Sequence, residues 1–584
     1  MSVHPSCFQS VQGGIHHATA FPFDRLRKLS KWHKNTPISR IDHNGARYRR
    51  SYAIWNVGQS PSPLSASGFS SAESFKCKEP AYSIFERLLD EQSQLGIVLT
   101  ATEIAEATGG QVIKAGPPGS ICTDTRNIKP GQWFLALTGP RFDGHQFLQS
   151  ALAKSCAGVV GNRVCENWPR GFVKVEENTL TALHKLGSSA RKKFKGPVVG
   201  ITGSTGKTTT RAMIALVLES LGHIHQTSGN QNNHIGVPLT LISMPMHSKA
   251  CVLELGMNHS GEIQELARIS EPCVRVVLNV GPAHMENFTS LEEIGRAKGE
   301  IFLEARSGDI CILNADDPLV MALHLPDGVQ RVLFGSKLGC DVRLIAAKSI
   351  QGGHAIQVTL EHCSSANVEL EKDNLQHKKS VTESRDSEGV ECCQQSNSRV
   401  VFEIPSPGQH LGMNACAAAA VAVSLGVSLT QVGKALSKFS PVNMRLSMET
   451  FENGITIIND TYNANPMSMV AALDILHSVE CKGRKVALLG DMFELGISGK
   501  KAHADILKIC QEIGIQLLGV AGLHFMEAVN VVDMASSELC TLSALNSESL
   551  ALQIRKKLNK GDVVLVKGSR GMQMEIVVKA IKEI

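Results

Sequence analysis

The sequence runs to 584 residues, 43% of them hydrophobic, with a formal charge of +5 and 16 cysteines. That length predicts roughly three to four domains, each large enough to bury a core. Much of the charge lies in residues 1–70, where nine Lys/Arg face only Asp24 and Asp42; the remainder is near neutral, so no nucleic-acid-binding field is implied. The cysteines include no C-x-x-C pair, and no apolar run approaches ~18 residues. Reduced thiols are expected rather than a disulfide framework or zinc site, in a soluble chain without membrane insertion.

Residues 1–81 are rich in Ser and Arg, poor in acids, and lack the apolar core of a secretory signal. This composition predicts a removable organelle-import segment, to the chloroplast or plastid stroma, with the mitochondrion as the alternative destination. Residues 82–195 read as a small α/β unit. A helix is expected over Leu99–Thr108, capped by Thr102 with Glu103–Glu106 in its first turn, then a strand over Trp133–Leu137 and a loop at Phe142–His145. Residues 196–441 carry buried strand patterns at Gly196–Thr202, Ala250–Leu255, Val274–Val280, Ile310–Asn314 and Val332–Gly335, with a helix over Thr208–Leu221 and a buried one at Ala415–Leu425. Strands alternating with helices predict a mostly parallel, doubly wound sheet. Residues 362–400 contain no aromatic residue and many Glu, Lys, Ser and Gln, which predicts a disordered insertion. A third α/β pattern fills 442–584, with strands at Thr456–Asn459, Lys485–Leu489, Leu517–Ala521 and Val563–Val566.

The chemistry concentrates after the strand ending at Thr202. Thr202-Gly203-Ser204-Thr205-Gly206-Lys207-Thr208-Thr209 lies between a strand and a helix, where backbone N–H groups and the helix dipole can hold phosphate. Lys207 would reach the β- and γ-phosphates and the Thr208 hydroxyl a Mg²⁺ ion. The loop departs from G-x-x-x-x-G-K-[ST], because Ile201 stands where the first glycine belongs. Glu254 ends an apolar strand and is placed to hold Mg²⁺, and His284 follows another strand end on the same sheet edge. Lys298 sits on an expected helix and, taken alone, reads as a solvated lysine.

These segments, with Asn230–Leu239, Glu254–Asn258, the His284 loop, Lys298 and Asn314–Asp317, resemble the Mur ligase family from about Ile97 to the C-terminus, apart from the insertion. The resemblance implies a three-domain α/β architecture, with a central P-loop parallel-sheet domain and a Rossmann-like C-terminal domain. It implies ATP and two Mg²⁺ sites held by Thr208, Glu254, His284 and a carbamylated Lys298. Asn314 and Asp317 would lie on the adenine side, Arg445 and Asp460 would complete the ATP site, and Thr123, Asp124, Thr125 and Arg126 would hold a uridine nucleotide. Asn463, Asn465, Asp491, Glu494, Lys567, Ser569 and Arg570 would surround the incoming amine, with Ala464 and His503 nearby. Leu411 replaces the Asn of the usual His-Asn pair, whereas His410 and Asn414 remain. The substrates implied are UDP-N-acetylmuramoyl-tripeptide and D-alanyl-D-alanine, joined through an acyl phosphate by a monomer. Other superfamily ligases, adding the third residue or extending folate, are the alternatives; no Asp-Asn-Pro-Arg segment of the diamino-acid-adding members occurs. A catalytically inactive plastid P-loop scaffold is the rival of another class.

Residues 1–81 fused to a fluorescent reporter are expected to carry it into plastids; uniform cytosolic fluorescence would overturn the import reading.

Overall fold

The computed structural model describes residues 96–584, apart from 141, 177, 364–397 and 533–538. The segment expected to direct import and the body of the expected insertion lie outside the described residues. Among the described residues, three larger sheets, each mostly parallel with an antiparallel edge, follow in chain order, and a small antiparallel pair, Thr138–Gly139 with Phe142–Asp143, stands where a loop was expected.

In the first sheet, Gln111–Lys114, Gly171–Lys174, Gly158–Gly161, Trp133–Leu135 and Ile121–Cys122 lie side by side, only the first of them antiparallel. Trp133 is fully buried, and a Cβ on Gly158 or Gly171 would stand 2.4 or 2.5 Å from its ring, so both positions need glycine. The preceding helix is Ala101–Thr108, and its cap is Thr100 rather than Thr102. Thr100 has extended backbone and Glu103 stands three residues on, the spacing at which the two side chains satisfy each other's backbone N–H. The helix Thr179–Lys193 packs on Gly236–Ile242, and Ile97 N–H donates to Ile242 O at 2.9 Å. One apolar cluster runs unbroken from Trp133 and Leu186 through Leu241 and Leu253 to Val277 and Phe302. The first two units therefore share a core, and burial fixes one against the other.

The second sheet has nine strands: Ser398–Ile404, Ala355–His362, Val342–Ile350, Gln330–Gly335, Ile310–Asn314, Val274–Val277, Val198–Thr202, Ala250–Glu254 and Ile224–Gln226. All pairings from Val342–Ile350 to Ile224–Gln226 are parallel. Val198–Thr202 lies between Val274–Val277 and Ala250–Glu254, and the chain reverses its winding around it, the point at which open sheets bind ligands. The first three of these, last in the chain, form antiparallel pairs, and Ala355–His362 matches Ser398–Ile404 up to His362↔Ser398. His362 and Ser398–Val400, expected within the insertion, are therefore paired strand residues. Phe402, two residues on, is buried against the helix Leu429–Leu436, where a Cβ on Gly433 would meet Val400 at 2.9 Å.

The third sheet runs Ser447–Thr450, Thr456–Asp460, Val563–Lys567, Lys485–Gly490, Leu517–Ala521 and Cys540–Ala544, antiparallel only at the first pair. Asp460, Gly490 and Lys567 each extend their strands one residue past the expected ends, which brings the side chains of Asp460 and Lys567 to the carboxyl edge. Every cysteine among the described residues is a free thiol, and no described helix is long and apolar enough to cross a membrane.

Because the strand pair closes at His362↔Ser398, a two-residue connection is long enough to join its ends. Replacing residues 364–397 with a two-residue Asn-Gly turn shortens a loop whose closure costs only ~0.6 kcal/mol per doubling of length. The midpoint of thermal unfolding is expected to stay within a few degrees of the parent; a loss above about ten degrees would show that the segment packs.

Candidate active site

The phosphate-type loop is held open by its neighbour. Asn279, just past the strand Val274–Val277, accepts from Thr205 N–H through Oδ1 at 2.9 Å and donates from Nδ2 to Thr205 O at 3.1 Å. Ser204 and Gly281 exchange bonds of 3.0 and 2.9 Å. Gly206 has φ +81° and caps the helix Lys207–Leu218, and a Cβ there would meet Asn414 Oδ1 at 2.9 Å. Lys207 Nζ donates back to Gly203 O at 2.7 Å, so its ammonium curls over the loop where a phosphate chain would lie. Burial lowers the Lys207 pKa against the opposing pull of Glu254. Thr209 follows on the first helical turn.

Glu254 is the hub. Its Oε2 accepts from the Thr208 hydroxyl at 2.8 Å, its Oε1 from Asn232 Nδ2 at 2.8 Å, and its own N–H donates to Thr227 Oγ1 at 3.0 Å. Arg445, at the start of the third unit, donates from Nη2 to Thr208 Oγ1 at 3.0 Å and stacks on the Tyr462 ring at 4.1 Å. Glu254 is 2% exposed. A carboxylate and a hydroxyl side by side are hard oxygen donors of the kind Mg²⁺ takes when phosphate and water complete its shell, so these residues fit that ion. Among the described residues no three His, Cys, Asp or Glu side chains form an all-protein metal cluster.

The other expected residues divide into those near this hub and those turned elsewhere. Lys298, on Leu291–Leu303, is 1% exposed, which overturns the solvated-lysine reading. It shares the apolar face with Ile294 and Ile301, and burial, then Lys207, pushes its pKa well below the ordinary lysine range. His284, with φ +58°, points across the domain boundary, its Nδ1 2.7 Å from Glu494 Oε2. That bond lowers the Glu494 pKa, and Glu286 N–H joins Glu494 O at 3.1 Å. Asn314 donates to Leu278 O at 2.8 Å, while Asp317 accepts from Val280 N–H at 2.7 Å and from Leu319 N–H at 2.9 Å. Both thereby fix the segment leading to Asn279.

On the third unit, Lys567 Nζ bridges Asp460 Oδ2 at 2.5 Å and Asn463 O at 2.8 Å, fully buried. Burial lowers the His410 pKa to about 4 against the pull of Asp460. Asn463 Oδ1 accepts from Ala464 N–H at 2.9 Å, and Asn465 caps Pro466–Ser478. Ser569 donates its N–H to Asp491 O at 3.0 Å and accepts Phe493 N–H at 2.8 Å. Asp491 takes the N–H groups of His524 and Phe525 at 3.0 and 2.9 Å. His503 Nε2 accepts Met492 N–H at 2.9 Å, so Nδ1 carries the proton donated to Gly499 O at 2.7 Å. Arg570, half-exposed, pairs with Glu575 at 2.8 Å. On the first unit Asp124 and Arg126 form a two-pronged pair, with Thr123 and Thr125 in the same turn after Ile121–Cys122. Lys154 anchors Arg126 O at 2.7 Å.

Sequence reading missed Asn232, Asn279, Arg211 and Tyr462 as single residues. Asn232 and Asn279 lay within quoted segments, but an amide's partner 22 or 74 residues away leaves no local pattern.

Residues 201–353 match the Mur ligase middle domain and residues 444–570 the Mur ligase, glutamate ligase domain. The chain is 33% identical over 469 residues to the UDP-N-acetylmuramoyl-tripeptide–D-alanyl-D-alanine ligase of Bacillus subtilis, covering 79% of this chain and 93% of that one. It is similar to the crystal structure of MurF from Acinetobacter baumannii, with TM-score 0.70 and 28% identity over 84% of this chain and 100% of that one. The MurF ligase of Thermotoga maritima in complex with ADP superposes with TM-score 0.62 at 25% identity, over 80% and 97% of the two chains.

Lys298 generates a stability prediction. Its folded pKa is depressed, so between that value and the ordinary lysine range the unfolded chain binds the extra proton. Stability from this group therefore rises with pH through that window and is least in acid. Lys298→Met is expected to stabilise the fold at pH 6 by roughly 1–4 kcal/mol in bicarbonate-free buffer, with the gain shrinking toward pH 9. Thermal unfolding of the two proteins at both pH values checks this; a variant less stable at pH 6 would refute it.

Proposed function

The chain belongs to the Mur ligase family, and from that premise we propose that it joins D-alanyl-D-alanine to UDP-N-acetylmuramoyl-tripeptide, with ATP as phosphoryl donor. The observation that carries the reading is the Thr208–Glu254–Arg445 junction, in which a phosphate loop, a strand-end carboxylate and the third unit meet. A carboxylate does not react with an amine, so it is first converted to an acyl phosphate. The amine then attacks the acyl carbon, and the tetrahedral intermediate expels phosphate to leave an amide. Lys207 and the loop N–H groups receive the nucleotide phosphates, where positive charge favours phosphoryl transfer. Mg²⁺, held by Thr208 and Glu254, supplies charge neutralisation to the same oxygens when bound. Contacts between the second and third units at His284–Glu494 and Arg445–Thr208 close the site on one side, and exclusion of water protects an acyl phosphate from hydrolysis.

Lys298 takes the role of a carbamylated lysine in this reading. A neutral amine is the form that adds to CO₂, forming a C–N bond and releasing a proton, and the depressed pKa of Lys298 favours that form. The resulting anion would offset Lys207, whose charge acts on it. His284 would turn from Glu494 toward the phosphates to serve as a second metal's ligand. The reading extends to the plastid as the place of action, on the Arg/Ser bias of residues 1–81, and to a monomer, since one chain carries regions for all three substrates.

The deciding experiment measures ADP release with UDP-N-acetylmuramoyl-tripeptide and a panel of single amino acids and dipeptides. Release dependent on D-alanyl-D-alanine is expected, lost at least a hundredfold in Lys298→Ala and partly restored by a short free carboxylate. Preference for a single diamino acid would assign the chain to the third-residue-adding ligases, and no release with any amine would favour the scaffold. Near-normal turnover of Lys298→Ala would refute the carbamate.

A further inference from the structure

Arg211 lies one turn beyond Lys207 on the helix Lys207–Leu218, on the side of Glu254. It is 6% exposed, and its Nε–H has no hydrogen-bond acceptor. The nearest carboxylate oxygen is Glu254 Oε2 at 4.0 Å, and that oxygen is already taken by Thr208. Arg445, reaching the same hydroxyl from the third unit, also leaves its Nε–H buried without an acceptor. Lys207, Arg211 and Arg445 thus crowd one carboxylate. Uncompensated buried cations are costly, and an arrangement with this surplus is relieved by an arriving anion. Arg211 stands behind Thr208, a helical turn from the loop, so it acts on phosphate through its charge and through Glu254 rather than by contact.

We propose that Arg211 is a positioning residue that neutralises Glu254 from behind, so that the phosphate loop accepts nucleotide before the metal arrives. The inference rests on the reading of this loop as a nucleotide site. With Arg211 present, the carboxylate and guanidinium cancel, and the phosphates meet Lys207 and Arg445 unopposed. Without it, Glu254 repels the phosphate chain until a divalent cation covers the carboxylate. Removing Arg211 therefore weakens metal-free nucleotide binding and at the same time strengthens the attraction of the site for the cation. A residue needed only for packing would weaken both.

The test is calorimetric titration of the full chain with ADP, once in EDTA and once in saturating Mg²⁺. Arg211→Met is expected to lose at least tenfold in ADP affinity in EDTA, to lose less than threefold in Mg²⁺, and to need less Mg²⁺ for half-maximal binding. Arg211→Lys keeps the charge and restores most of the metal-free affinity. Glu254→Gln removes the repelling charge and is expected to raise ADP affinity in EDTA at least threefold, which tests the idea even where Arg211→Met does not fold. Equal losses in both buffers, or weaker metal-free binding by Glu254→Gln, would overturn the proposal. Failure of the parent chain to bind ADP under either condition would instead refute the nucleotide reading itself.

Discussion

The hydrogen bond from the Thr208 hydroxyl to the Glu254 carboxylate is the junction on which the rest of the site depends. Four segments distant in sequence converge on it: the phosphate loop, the strand Ala250–Glu254, the Asn232 loop and the first residues of the third unit. Each contact is short and lies in a region shielded from water, where charge-assisted bonds are stronger than at a surface. Removing Thr208 would leave one oxygen of the buried Glu254 carboxylate without its donor, which costs more than the bond itself contributes. Through the Arg445 bond the arrangement links the position of the third unit to the phosphate loop.

The backbone supports that linkage at a cost. Met444 and Leu446, on either side of Arg445, have φ of +61° and +55°; His284 and Glu494, which meet each other, have +58° and +63°. None is glycine, and such conformations cost about 1–3 kcal/mol each when nothing compensates. The two side-chain bridges His284–Glu494 and Arg445–Thr208 thus rest on or beside strained backbone. Strain of this kind persists where surrounding contacts over-determine it, and it makes an alternative arrangement close in free energy. The apolar cores, by contrast, carry no such tension: the helix His410–Ser424 is alanine-rich and buried along most of its length, and Leu411 joins that core instead of reaching the nucleotide side.

The sequence was most legible where burial alone decides structure. Ile310–Asn314 and Leu517–Ala521 are apolar runs with sharp polar or glycine ends, and their strands begin and end where expected. It was less legible where two local signals competed. Thr100 and Thr102 both stand at a helix start, and only the capping-box spacing to Glu103 separates them. Lys298 was misread because charge was weighed above position, although Ile294 and Ile301 four before and three after it define an apolar helix face that includes it. The partnership of His284 with Glu494, 210 residues apart, left no trace in either segment, because nothing local fixes how two units dock. The glycine loop and the strand-end carboxylate were legible because phosphate chemistry dictates residue types at fixed spacing; the asparagines that brace them were not, because many polar residues can serve as braces.

The buried cations of the second unit and the buried ion pair of the third reveal two uses of the same chemistry. In the third unit Lys567 is matched by Asp460 on the adjacent strand and by a carbonyl, so its charge is satisfied and the pair locks two strand ends together. In the second unit Lys298 has no carboxylate partner among the described residues, Lys207 and Arg211 share Glu254, and Arg445 reaches the Thr208 hydroxyl beside it from the third. A satisfied buried pair specifies geometry; an unsatisfied excess stores free energy that an incoming anion releases. The structure keeps the two kinds apart, rigid pairing at the strand ends of the third unit and surplus positive charge around the glycine loop of the second. The most buried lysine of the second unit stands apart from both uses: on an otherwise apolar helix face, within a large continuous core, burial and the nearby Lys207 charge favour its neutral amine.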